Sequence, residues 1–178
     1  GVSSWSSAML WTFLPVSAVV PSLLLVWYFH SRDLFREPGR VLWTTFGLGV
    51  ATTIPVVALA YPLSGLVEAV PGAYLRGLTD AFVLAAIPEE CLKFIVVWFY
   101  ASRHREFDEP MDGIVYGATA SLGFATLENL LYVSAEGLGT AIMRSVTAVP
   151  NHAFLGALMG YYVGRARFQP ATGASSIA

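Results

Sequence analysis

Polar and apolar positions are distributed along this chain in long blocks. Five stretches are apolar for long enough to cross a bilayer, which takes roughly 20 residues of helix. They cover about residues 8–29, 41–61, 79–100, 113–133 and 140–164. The pattern predicts an all-α fold: a polytopic bundle of about five transmembrane helices in a single domain over residues 1–178. The first stretch has no basic segment before it and is too long for the apolar core of a signal peptide, so it reads as a true span. Residues 62–77 are too polar and too broken to cross, which predicts an external loop or a short interfacial helix. The small, polar residues 169–178 predict a disordered tail. No internal repeat is visible.

The charged residues between the stretches set an orientation. Arg32, Arg36 and Arg40 follow the first stretch, Arg103 and Arg105 the third, and Arg165 and Arg167 close the fifth. The opposite side holds Arg76, with Arg144 just inside the fifth stretch. Basic residues concentrate on the cytoplasmic side. The expected topology is therefore multi-pass in the cell membrane, with the N-terminus outside and the C-terminus inside.

Composition strengthens this picture. Of 178 residues, 56% are hydrophobic and only 12% charged, about half the share usual in soluble domains. Mean hydropathy is +0.62. Too little polar sequence remains to cover five apolar helices in water. A net charge of −2 offers no footprint for nucleic acid. Cys91 is the only cysteine, which excludes an internal disulfide and a CxxC metal site.

Three stretches then break the apolar rule. The third contains Glu89, Glu90 and Lys93, the fourth Glu128 and Asn129, the fifth Asn151 and His152. An ionisable group near the bilayer centre costs about 2.5–3.5 kcal/mol on insertion scales. A Glu89–Lys93 pair at i, i+4 satisfies one carboxylate, and a lone His or Asn can simply join helices. The remaining acids still need a proton, water or a cation. Helical rise places Glu89 and Glu90 about 15 Å, Glu128 about 8 Å and His152 about 18 Å from the outer ends of their helices, so one cluster is expected. Glu128 shares a helix face with Phe124, Ser121 and Gly117. His152 leads into Gly156, Gly160 and Gly164, a spacing that lets helices approach closely. Pro88 and Pro150 predict helix breaks that would leave Glu89 and His152 in the first turns of half-helices.

These residues form a recognisable pattern. Glu89-Glu90-Cys91-Leu92-Lys93 resembles the EExxK motif of the PrsW family, Phe124 to Asn129 its FxxxEN motif, and His152 to Gly156 its histidine motif. The segments RDLFREP (32–38) and MDGIVYG (111–117) are also similar to that family. The distantly related CAAX prenyl-protease and Abi group carries EExxxR and FxxxH. Here Lys93 comes one residue earlier, and Glu128 stands where that group has His.

The resemblance implies an intramembrane endopeptidase acting on membrane-anchored proteins near the outer membrane face; the family's namesake cleaves an anti-sigma factor. It implies catalytic roles for Glu89, Glu90, Glu128 and His152, supported by Asn129, Asn151 and Lys93. Two chemistries fit these residues. In one, Glu89 or Glu90 holds a divalent metal together with Glu128 and His152, zinc being the expected ion. In the other, no metal is present: a glutamate is the general base, and His152 with an asparagine stabilises the oxyanion. The absence of HExxH excludes a standard zincin. The expected partners are the bilayer and a membrane-anchored substrate, with a homo-oligomer allowed. An ion- or proton-coupled transporter also buries acids, but transporters are commonly built from internal repeats. A non-catalytic scaffold on the same fold would have no use for four intact ionisable groups.

Overall fold

The computed structural model describes residues 2–168, and the expected disordered tail lies outside them. The chain forms α1 (Val2–Arg32), α2 (Gly39–Glu68), α3 (Ala73–Thr79), a π-helical segment (Asp80–Ala86), α4 (Ile87–Phe99), a 3-10 turn (Ala101–Arg103), α5 (Pro110–Glu136), α6 (Leu138–Val146) and α7 (Ala148–Phe168). No strand occurs among the described residues. The fold is an all-α bundle.

Two helices, Phe13–Arg32 and Gly39–Glu68, are long and apolar enough to cross a membrane. Only 17% and 22% of their most apolar windows are buried within the protein, so neither is the core helix of a water-soluble domain. The outer faces of other helices are also apolar, with Ile95, Phe154 and Tyr162 turned outward. Exposed large apolar side chains on several helices suit lipid better than water.

Helix α5 is the axis of the bundle. From Val115 to Thr126 every residue is buried, and the helix packs mainly against α7, α2 and α1. Glycines make this packing close. A Cβ on Gly160 would lie 1.8 Å from the carbonyl oxygen of Gly113, and one on Gly117 would lie 2.3 Å from that of Gly156. On another flank of α5, Gly49 of α2 faces the Ala120 carbonyl and Gly123 faces that of Phe46. Such backbone contact is the means by which helices associate without a hydrophobic driving force between them.

Three elements differ from the sequence expectation. Helix α2 runs through Pro62 to Glu68, so part of the expected external loop is helical. Proline is tolerated within helices of this kind. The third stretch does not break at Pro88. The helix widens into a π segment just before it, and the Ile87 N–H reaches back to the Phe82 carbonyl. A wider turn accommodates the ring that would otherwise clash with the carbonyl of Leu84. The fifth stretch does break, but at Thr147 rather than at Pro150. Proline has no N–H for the carbonyl four residues back, here Val146, where α6 ends. Pro150 then sits in the first turn of α7, where the missing N–H is harmless. His152 is the fifth residue of α7 and falls in its second turn rather than its first.

Candidate functional site

The glycine contacts set the register of α5 against α7. Gly113 meets Gly160, Gly117 meets Gly156, and Ser121 lies against Gly156 one turn further. Continuing along the pair brings Phe124 and Glu128 to His152. The Phe124 and His152 rings are 5.6 Å apart, and His152 Nε2 is 3.0 Å from Glu128 Oε2. The face expected from Gly117, Ser121, Phe124 and Glu128 is the face that meets α7.

Helix α4 brings the third set of groups. Lys93 is fully buried, and its ammonium lies 2.8 Å from Glu90 Oε1, 3.5 Å from Glu89 Oε2 and 3.0 Å from His152 Nδ1. It also sits 4.2 Å from the centre of the Phe124 ring, a cation–π geometry. Glu90, not Glu89, is thus the nearer partner of Lys93. The Glu90 side chain is also the more exposed of the two, at 34% against 13%.

An ammonium can only donate, so His152 Nδ1 accepts from Lys93 and the ring hydrogen resides on Nε2, which donates to Glu128. The result is a chain of contacts from α4 through α7 to α5. It borders a cleft of about 240 Å³ lined by Ala81, Ala85 and Ala86 of the π segment together with Glu89, Glu90, Glu128, Arg144, Asn151 and His152. Small side chains on the π segment leave the space that larger ones would fill.

Arg144 is a further member, one that the distribution of arginines along the chain marks only for topology. Gly137, at φ +87, lets the chain reverse between α5 and α6. The amphipathic α6 then carries Arg144 back over Glu128, which it pairs with directly. Its guanidinium also donates to Asn129 and lies 4.1 Å from the Tyr132 ring centre. The signal for it in the sequence is an arginine inside an apolar stretch. Asn129 is buried, with its carbonyl oxygen taken by Arg144 and its amide directed at the Ala18 carbonyl of α1. It crosslinks helices and does not line the cleft, whereas Asn151 does.

The residue types fit a divalent metal ion. Glu89, Glu90 and His152 each offer a ligand atom, all within 4.8 Å of one another. Glu128 is engaged by His152 and Arg144. Its 3.0 Å contact with His152 Nε2 is a hydrogen bond, and these two atoms would hold an ion together only once the Nε2 hydrogen is lost.

Comparison with known proteins agrees with the motifs. The family described as PrsW family intramembrane metalloprotease matches residues 37–178. Protease PrsW of Geobacillus kaustophilus is 42% identical over 85% of this chain and 66% of its own length. Protease PrsW of Bacillus subtilis is 39% identical over 88% of this chain and 70% of its own length. The chain therefore spans about two thirds of these relatives. Protease PrsW of Clostridioides difficile is 30% identical. No solved structure matches. The motifs, the helical membrane architecture and these relatives agree: the chain belongs to the PrsW family of intramembrane proteases.

Proposed function

We propose that this chain hydrolyses peptide bonds of membrane-anchored proteins close to the outer membrane face, anti-sigma-factor-like regulators among them. The observation that carries this reading is the meeting of Glu89 and Glu90 from α4, Glu128 from α5 and His152 from α7 at one cleft. Four costly groups from three helices line a space large enough for water. Glu89, Glu128 and His152 are the proposed holders of a divalent ion, zinc by donor type, with Glu90 the alternative third ligand. Such an ion would supply Lewis-acid chemistry to the scissile carbonyl and to water. Lys93 orients the carboxylates of α4 and the imidazole, while Arg144, braced by Asn129, holds Glu128 in place. Asn151 lies on the rim, where it can contact the substrate.

One observation favours a second reading. Both nitrogens of His152 are already engaged, by Lys93 and by Glu128. In that reading no metal is needed. A glutamate of α4 takes the proton from water, and the imidazole and Asn151 stabilise the oxyanion.

The test is metal analysis of the purified protein beside cleavage of a single-span test substrate. The metal reading expects about one ion per chain, inhibition by chelators and recovery with zinc. Full activity after exhaustive chelation, with no ion in the protein, would leave the glutamic reading. Unchanged cleavage by Glu128→Ala or His152→Ala would overturn both. The proposed topology places the N-terminus outside and the loop at 33–38 inside; labelling that put both termini on one side would reject it.

A further inference from the structure

Two sequence motifs, RDLFREP and MDGIVYG, play no part in the cleft. They meet at the far end of α5, where Asp33 and Glu37 from the α1–α2 loop come together with Asp112 from the first turn of α5. Asp112 lies 16 residues before Glu128, or about 24 Å along the helix. Each of the three residues offers a carboxylate oxygen within 4.8 Å of the other two. All three are buried, at 4%, 5% and 1% exposure.

The surrounding bonds orient this group. Asp33 Oδ1 accepts the Phe35 N–H at 3.2 Å. Asp112 Oδ2 accepts the N–H groups of Asp108 and Glu109 at 2.7 and 2.8 Å, the latter closing the cap of α5. The Tyr116 hydroxyl donates to Glu37. Asp33 Oδ2 and Asp112 Oδ1 remain, buried and reached by no N–H or hydroxyl donor; the side chains facing Asp33 and Asp112 are the carboxyl groups of Glu109 and Glu37. A buried carboxylate oxygen with no donor is a large uncompensated cost. Two of them in one acidic pocket require a proton or a cation between them.

We infer that Asp33, Glu37 and Asp112 form a second metal site, for a hard divalent cation of the magnesium or calcium class. The donors are oxygen only, with no imidazole or thiolate, and hard cations take such sets. The bound ion would tie the α1–α2 loop to the start of α5, beside the close contact of Gly113 with Gly160. It would thereby hold the register on which the distant cleft depends.

The test is thermal unfolding of the purified full chain after chelator treatment, at pH 7.5 and constant ionic strength, titrated with magnesium chloride or calcium chloride. The expected result is a saturable rise in Tm of roughly 5 °C or more at saturating ion. Glu128→Gln, altered only in the cleft, should retain the rise. Asp112→Asn and Glu37→Gln should weaken apparent ion affinity at least tenfold. Glu37→Gln keeps an acceptor for Tyr116, so it decides the matter if Asp112→Asn fails to fold. No rise with either ion, or an equal rise in Glu37→Gln, overturns the inference. A Tm that responds to acidification but not to ions would assign the pocket a shared proton instead. A response lost in Glu128→Gln would place the ion in the cleft and equally reject this site.

Discussion

Replacing Lys93 by methionine retains much of the side chain's length while removing the one ammonium at the centre of the cleft cluster. Three polar contacts disappear with it, to Glu90, Glu89 and His152 Nδ1, along with the cation–π contact to Phe124. Stranding the partner of a fully buried ion pair costs about 3–5 kcal/mol. Glu90, one-third exposed, can recover water, whereas Glu89 and His152 are largely enclosed. The cost should thus fall at the lower end, about 3 kcal/mol. For a chain of this size that corresponds to a fall in Tm of roughly 6–12 °C. The assay is thermal unfolding in detergent of Lys93→Met, Glu90→Gln, Glu89→Gln and the double variants combining Lys93→Met with either glutamine. The Glu89→Gln combination should recover more stability than the Glu90→Gln combination, because the stranded charge at Glu89 is the better shielded from water. An unchanged Tm for Lys93→Met, or recovery confined to the Glu90→Gln double variant, would refute this reasoning.

Three further outcomes are expected. Gly160→Ala places a methyl group 1.8 Å from the Gly113 carbonyl oxygen, so α5 and α7 must separate; overpacking of this kind costs about 1–3 kcal/mol, and both Tm and substrate cleavage should fall. Arg144→Met releases Glu128 and Asn129 together, so cleavage should fall at least tenfold while circular dichroism stays helical; wild-type cleavage would show that the clamp is idle. Burial lifts the Glu37 carboxyl from 4.5 to about 8, so the folded chain binds this proton more tightly than the unfolded one. Its stabilising contribution is complete below pH 4.5 and is lost as pH rises to about 8, so chelator-treated protein should lose Tm across that window and Glu37→Gln should flatten the loss.

The class of this protein and most of its cleft are legible in the order of its residues. Long apolar blocks can be satisfied only as helices in lipid, because the backbone has no other partner there. Charges inside those blocks are expensive enough that Glu89, Glu90, Lys93, Glu128 and His152 stand out before any fold is known. The GxxxG strip after His152 announces a close helix contact. Its partner, the glycine face of α5, emerges only in three dimensions, since spacing along one helix does not say which neighbour it meets. Which glutamate lies nearer Lys93 is likewise undecidable from spacing, because i, i+3 and i, i+4 are both within reach on a helix. Tertiary structure moves the expected break from Pro150 to Thr147 and turns the one at Pro88 into a π segment, since a proline's clash falls a turn before it. It also turns Arg144 from a topology marker into a partner of Glu128. Asp33, Glu37 and Asp112 lie up to 79 residues apart in the chain, and each alone looks like an ordinary loop or cap acid. Only the packing of the α1–α2 loop on the first turn of α5 reveals that they share one buried pocket.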